Sequence, residues 1–196
     1  MAVGWRNPEK SYLRGVLKLS NFFFQRTLTY KDIEIDDWWV MDFTVEELKE
    51  LTLNQEHEDR DQSYNGMFKI PTFEEYLQVA IDKKVKIYPE SKTPSFFNET
   101  FGFFMEDLFL KTLKSFNFDE TNTIIQSFDP ESLKRVKIID ENYPLIILTK
   151  RDLTDEELDL FAKMGGFGIG ARKSLVVTAE DNKRTGYSDL VERAHR

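Results

Sequence analysis

The chain has 196 residues, of which 35 are acidic and 27 are basic, so its formal net charge is −8. This charge argues against a general nucleic-acid-binding protein, because such proteins carry a basic face toward the phosphates. Hydrophobic residues make up 40% of the chain, which at this length is enough for the core of one folded domain. The chain contains no cysteine, which excludes disulfides, cysteine-ligated metals and a cysteine nucleophile.

The first 29 residues show no consistent helix or strand pattern. Charged residues interrupt every apolar run in the first 25 residues, so this part does not resemble a signal peptide and the compartment stays open. Three consecutive phenylalanines, Phe22-Phe23-Phe24, predict an apolar patch that needs a partner surface. No apolar run in the chain approaches the roughly 20 residues that a transmembrane helix requires.

Two capping-box patterns mark the first predicted helices. Thr44 is followed three residues later by Glu47, and Thr72 by Glu75, which is the spacing of a serine or threonine cap with a returning carboxylate. Apolar residues recur at helical spacing after each cap. The polar stretch 54–66 between them ends at an Asn-Gly turn signal and is predicted to be a loop.

Beyond residue 71, helical and strand patterns alternate along the chain. One long helix is predicted from Pro94 through Leu113, and shorter helices are predicted at 130–136, 158–164 and 188–194. Strands are predicted near 85–88, 123–128, 144–148 and 167–177. This alternation predicts an α/β fold with a parallel sheet, and the short apolar strands are typical of strands covered on both faces.

The segment most informative about chemistry is Tyr88-Pro-Glu-Ser-Lys92 at the end of the first of these strands. Glu90 and Lys92 are two residues apart, so on extended backbone their side chains point the same way. A carboxylate binds hard divalent cations, and a lysine ammonium binds phosphate oxygens. A solvated surface pair at a strand exit is the alternative interpretation of the same residues.

Three other patterns are less informative. Glu34-Ile-Asp36 has the spacing of a metal-binding pair but lies one residue before Trp38-Trp39, and we interpret it as an acidic turn. The glycines between Gly165 and Gly170 precede no clear helix, so a tight turn into a strand is favoured over a phosphate loop. The two histidines, His57 and His195, lie in an acidic loop and next to the chain end, and neither is predicted to be catalytic.

Several segments together resemble the glycerophosphodiester phosphodiesterase family. The matching segments occur in the family's order and are Trp39-Val-Met-Asp-Phe-Thr-Val-Glu-Glu-Leu-Lys49, Arg60-Asp-Gln-Ser-Tyr-Asn-Gly66, Ile70-Pro-Thr-Phe-Glu-Glu75, Tyr88-Pro-Glu-Ser-Lys92, Ile125-Gln-Ser-Phe-Asp-Pro130, Gly168-Ile-Gly170 and Ala194-His195. The resemblance covers residues 27–196 and leaves 1–26 as an atypical N-terminal segment.

The resemblance implies a (β/α)₈ barrel that hydrolyses glycerophosphodiesters to glycerol 3-phosphate and an alcohol with a divalent cation, Ca²⁺ or Mg²⁺. It further implies that Glu90 is a metal ligand and Lys92 a phosphate contact, with Gln126 and Ser127 at the pocket wall.

The chain also departs from the family pattern. It has no His-Arg-Gly motif, no matching Glu-x-Asp pair and no histidine before His57, although phosphodiester cleavage needs proton transfer that the family's two histidines supply. Four predicted strands are half of a barrel, so the domain is expected to be incomplete at both ends, with an open inner face and open sheet edges.

We therefore expect little or no hydrolysis. The alternatives are a non-catalytic module that binds phosphodiesters or a protein through the exposed edges, and an unrelated α/β protein.

Overall fold

The structure, a computed structural model, describes residues 26–30, 32–181 and 183–196. These residues belong to two compact units, one ending at Val79 and one comprising Ala80–Arg196. Phe22-Phe23-Phe24 and the rest of the segment before Arg26 lie outside the described residues.

The described part of the first unit begins with an antiparallel hairpin that the sequence patterns did not predict. Strands β1 (Arg26–Tyr30) and β2 (Ile33–Asp37) pair around a turn at Asp32, whose φ is 63°. After the hairpin, the indole N–H of Trp39 donates to the carbonyl oxygen of Arg26 at 2.7 Å, and the Trp39 side chain is buried.

The two capped helices form as predicted. Helix α1 (Val45–Glu50) starts after Thr44 with a complete capping box, in which Thr44 and Glu47 each accept a hydrogen bond from the other's backbone N–H. Helix α2 (Phe73–Lys83) starts after Thr72, where Glu75 takes the same role, and it contains the boundary between the units.

The second unit contains the predicted parallel sheet. Its elements are β3 (Glu90–Ser91), α3 (Pro94–Phe101), α4 (Met105–Ser115), β4 (Ile125–Ser127), α5 (Pro130–Ile139), β5 (Leu145–Thr149), α6 (Asp155–Lys163), β6 (Gly168–Ala171), β7 (Val177–Glu180), β8 (Lys183–Tyr187) and α7 (Leu190–Ala194). The order in the sheet is β3-β4-β5-β6, and all neighbouring pairs are parallel.

The sheet has one covered face and one half-buried face. In β5, Leu145, Ile147 and Thr149 are buried, whereas Ile146 and Leu148 between them are half-buried. Helix α5 contacts both β4 and β5, and α3 and α4 contact α5, so these helices belong to the covered side. The prediction that both faces are covered is wrong for β5, because Ile146 and Leu148 on its second face are only half-buried, in the direction of the open inner face that the resemblance led us to expect.

Two predicted elements differ from the structure. The regular part of the first parallel strand is Glu90–Ser91 rather than 85–88, and Ile87 only forms an isolated bridge with Thr123. The long helix from Pro94 is two helices, because Gly102 adopts a left-handed conformation with φ 64° and ends α3. A left-handed glycine terminates a helix even where the apolar spacing continues.

The glycine-rich segment after α6 is a turn and a strand, as predicted. Gly165 turns with φ 82°, and β6 begins at Gly168. Further on, β7 and β8 pair as an antiparallel hairpin where no strand pair was predicted. In the described part of the chain, no helix is both long and apolar enough to cross a bilayer.

Candidate functional site

Glu90 and Lys92 meet at the carboxyl end of β3. The Lys92 Nζ lies 2.9 Å from Glu90 Oε2, and the side chains are 35% and 20% exposed, respectively. Burial alternates along this segment, with Pro89 and Ser91 buried and Glu90 and Lys92 half-buried. The two charged groups therefore point to the same side of β3, and that side is accessible to a ligand.

Gln126 lies beside Glu90 on the neighbouring strand. The parallel register pairs Glu90 with Gln126 across β3 and β4. The Gln126 amide donates from Nε2 to the carbonyl oxygen of Tyr88 at 3.2 Å, which leaves its Oε1 as an acceptor on the half-buried side of the strand. Burial raises the pKa of the adjacent Tyr88 phenol above its usual value, so this group stays neutral at ordinary pH.

Ser127 lies on the other face of the sheet. Its side chain is fully buried, and its hydroxyl donates to the carbonyl oxygen of Ser91 at 2.8 Å. The same hydroxyl accepts from the Asp129 N–H at 3.1 Å. The structure thus brings Glu90, Lys92 and Gln126 together and places Ser127 behind them, where it holds β3 against β4.

The residue after Lys92 is held in an unusual backbone conformation. Thr93 has φ 48° and ψ 41°, a left-handed geometry that a β-branched residue rarely adopts. Its hydroxyl is buried and has no hydrogen-bond partner in the described structure. Strained backbone of this kind concentrates at functional sites, and here it directs the chain from Lys92 into α3.

Further along the same edge, three strand ends form a shallow concavity, the strand-end concavity, which sequence reasoning missed. It is lined by Phe128, Thr149, Lys150, Gly170, Ala171 and Arg172. These residues lie at or directly after the ends of β4, β5 and β6. The sequence held one signal for this concavity, which is that its polar residues follow apolar strands of a predicted parallel sheet.

The remaining candidates lie elsewhere. Glu34 and Asp36 are on β2 of the antiparallel hairpin, not in a turn, and Thr27 donates to Asp36 at 3.3 Å. His57 is exposed in the loop of the first unit, and His195 is exposed after α7. No cluster of three or more acidic or histidine side chains suited to a metal occurs among the described residues.

Comparison with known proteins identifies the family. The model of the glycerophosphoryl diester phosphodiesterase family matches residues 19–196. The chain belongs to this family. The match begins before residue 27, where the sequence resemblance was placed.

Individual phosphodiesterases support the assignment. The chain is 31% identical over 198 aligned positions to a glycerophosphodiester phosphodiesterase of Arabidopsis thaliana, covering 87% of this chain and 53% of that protein. It is also 31% identical to a glycerophosphodiester phosphodiesterase of Haemophilus influenzae, over 51% of this chain and 32% of the relative. The chain thus spans about half the length, or less, of these curated relatives.

A solved structure supports the fold. A protein described as a glycerophosphoryl diester phosphodiesterase from Silicibacter pomeroyi superposes with a TM-score of 0.50 at 16% identity, over 74% of this chain and 68% of that one. Together with the observed parallel sheet, this likeness shows that this member of the family has part of a (β/α)₈ barrel fold.

Proposed function

We propose that the Glu90–Lys92 pair is the cation- and phosphate-binding part of a glycerophosphodiester phosphodiesterase site. The single observation that carries the proposal is the 2.9 Å contact between these two groups at the carboxyl end of a parallel strand. Ligand and catalytic groups of α/β barrels lie at this end of the sheet. The carboxylate can bind a divalent cation, and the neighbouring ammonium can bind a phosphoryl oxygen whose charge the cation neutralises.

The donor set at this edge suits a weakly held divalent cation. Glu90 supplies one carboxylate, and Gln126 Oε1 supplies one neutral oxygen from the paired position. Mg²⁺ accepts such a site because it keeps several waters and is bound by one or two carboxylates plus substrate phosphate. When bound, the cation supplies positive charge next to the phosphoryl oxygens.

Each side chain then has one role toward a glycerophosphodiester. Glu90 and Gln126 Oε1 hold the cation, and Lys92 contacts a non-bridging phosphoryl oxygen. The partly buried position of Glu90 and Lys92 strengthens these contacts relative to fully solvated charges. Ser127 acts behind them by holding the strand that carries the pair.

We expect binding with little or no hydrolysis in this chain. Cleavage needs one group that removes a proton from the attacking hydroxyl and one that protonates the leaving alkoxide. No residue at the ends of β3 to β6 is a histidine, and His195 is exposed beyond α7. A phosphodiester-binding module without turnover is the second candidate function, and the same absence of an imidazole at these strand ends favours it.

Calorimetric titration with glycerophosphocholine in Mg²⁺ or Ca²⁺ tests the binding proposal. We expect Glu90→Gln and Lys92→Gln each to weaken binding about tenfold. Glu131 and Lys134 form an exposed ion pair with a 3.6 Å separation on α5, so Glu131→Gln and Lys134→Gln are matched controls that should leave affinity unchanged. Equal affinities in all variants would overturn the proposal.

A product assay separates the two candidates. Release of glycerol 3-phosphate from glycerophosphocholine, followed by ³¹P NMR and lost in Glu90→Gln, establishes hydrolysis. Cation-dependent binding without product over the same period establishes the binding module.

A further inference from the structure

The strand-end concavity carries two positive charges with no carboxylate to neutralise them. Neither Lys150 nor Arg172 forms an ion pair with any described acidic residue, and both side chains are exposed. Cations nearby are paired, since Arg151 contacts Glu157 and Arg193 contacts Asp152. In a chain with a net charge of −8, two unneutralised cations at a binding edge favour an anionic ligand there.

The aromatic residue of the concavity is already covered by one of these cations. Lys150 Nζ lies 5.2 Å from the centroid of the Phe128 ring. An aromatic face of this kind is the usual attraction for a quaternary ammonium ligand. With Lys150 over the ring and Arg172 lining the same concavity, a choline group meets positive charge instead of an available aromatic face.

The concavity is within reach of the Glu90–Lys92 pair. Ser91 pairs with Ser127 in the sheet, so Lys92 and Phe128 are the next residues on the two neighbouring strands. Lys150 follows the next strand, β5, and neighbouring strands are about 4.8 Å apart, so β5 is roughly 10 Å from β3. A phosphodiester linked to a six-membered ring alcohol spans a distance of this order.

We propose that the strand-end concavity binds the alcohol group of the glycerophosphodiester and selects alcohols with a phosphate or carboxylate substituent over choline. This inference rests on the proposed function, because Glu90 and Lys92 hold the phosphodiester while Lys150 and Arg172 hold the anionic substituent. Lys150 and Arg172 are specificity-determining residues, and they take no part in proton transfer.

The test compares three diesters that differ in the alcohol group. Glycerophosphoinositol 4-phosphate, glycerophosphoinositol and glycerophosphocholine are titrated calorimetrically into the full chain with Mg²⁺. We expect the phosphorylated inositol diester to bind at least about fivefold more tightly than glycerophosphoinositol, with the choline diester weakest. Lys150→Gln/Arg172→Gln should reduce this preference to less than about twofold, without loss of the folded state by circular dichroism.

A matched double substitution distinguishes binding at the concavity from a general effect of net charge. Lys111→Gln/Lys163→Gln removes the same charge from exposed positions on α4 and α6 and should keep the preference intact. If this pair abolishes the preference as strongly as Lys150→Gln/Arg172→Gln does, or if the choline diester binds as tightly as the phosphorylated inositol diester, the concavity proposal is overturned.

Two further arms distinguish failure of this inference from failure of the proposed function. Glu90→Gln should weaken all three diesters by a similar factor, and an unchanged affinity in that variant counts against the proposed function alone. Inositol 4-phosphate, which lacks the diester, should still bind the wild-type concavity and should lose binding in Lys150→Gln/Arg172→Gln. Its failure to bind the wild type overturns the concavity proposal whether or not the diesters bind.

Discussion

Asp129, the N-cap residue of α5, joins this helix to Ser95 in the first turn of α3. Its Oδ2 accepts a hydrogen bond from the Ser95 N–H at 3.2 Å and another from the Ser95 hydroxyl. Its Oδ1 accepts from the Glu131 N–H at 3.0 Å, in the first turn of α5. One carboxylate therefore satisfies the beginnings of α3 and α5, which follow the two strands that carry Glu90 and Gln126.

Asp129→Ala is expected to lower the free energy of unfolding by about 1–3 kcal/mol, because backbone donors of two helices lose their acceptor. Urea denaturation followed by circular dichroism measures the change. Asp129→Asn keeps one side-chain carbonyl oxygen as an acceptor, so it should cost less than Asp129→Ala. If Asp129→Ala is as stable as the wild type, the carboxylate does not stabilise the two helix starts.

Thr93 gives a prediction about backbone strain. Its left-handed φ of 48° is unfavourable for a β-branched side chain, whereas asparagine tolerates this region. Thr93→Asn is therefore expected to raise the free energy of unfolding by roughly 0.5–1 kcal/mol, measured by urea denaturation. Thr93→Val retains the branch and removes the buried hydroxyl, which has no partner, so it should not destabilise the protein. A loss above about 1 kcal/mol in Thr93→Val would mean that the hydroxyl is bonded in solution.

Tyr143 predicts a change of stability at high pH. Its hydroxyl donates to the carbonyl oxygen of Phe118 at 2.6 Å, and burial, followed by the carboxylates of Asp140 and Asp119, raises the pKa of Tyr143 from 10.0 to about 12. Below pH 10 the phenol is neutral in both the folded and the unfolded state, so its full contribution to the free energy of unfolding is present. Between pH 10 and 12 only the unfolded state ionises, so stability decreases with rising pH.

Ultraviolet titration of tyrosinate tests this assignment. Tyr143 should ionise at about pH 12, and Tyr143→Phe should remove the tyrosinate absorbance that develops in this range. The stability difference between wild type and Tyr143→Phe should shrink across the same pH range. A late phase that persists in the variant would assign it to another tyrosine.

The lowered pKa of Glu157 predicts a loss of stability at low pH. The Arg151 guanidinium, followed by the backbone N–H of Thr154, lowers the pKa of Glu157 from 4.5 to about 2. Its stabilising contribution is present above the unfolded-state pKa and is lost as the pH falls through about 2. Carboxyl-carbon NMR should show this low pKa in the wild type and a rise toward 4.5 in Arg151→Gln. Arg184→Gln, in the β8 strand, is the control, and an equal rise there would reject Arg151 as the cause.

Features of local origin were predictable from the residues. The capping boxes at Thr44 and Thr72 formed as expected, and a third box formed at Thr154, because both partners lie within four residues of each other. The parallel sheet was predictable from the alternation of apolar strands and helices. The contact between Glu90 and Lys92 also agrees with their spacing, since two residues on extended backbone point to the same side.

Features that depend on distant partners were not predictable. The break between α3 and α4 depends on a left-handed φ at Gly102, and apolar residues at helical spacing on both sides of this glycine favoured one continuous helix. The β1–β2 and β7–β8 hairpins have few apolar residues and weak alternation, so their pairing left little signal. Ser127 was assigned to the pocket wall from the resemblance, and only the strand register shows that its hydroxyl belongs to the covered face.

The sequence alone was enough to predict that the side chains of Glu90 and Lys92 point to the same side of one strand, because extended backbone geometry sets the directions of residues two apart. Which groups face them from other strands depended on the packed sheet. The register pairs Glu90 with Gln126, and the parallel ends of β4, β5 and β6 bring Phe128, Lys150 and Arg172 to one concavity from positions far apart in the chain. Such proximity arises from burial of apolar strands against helices, a non-directional force that local sequence patterns do not encode.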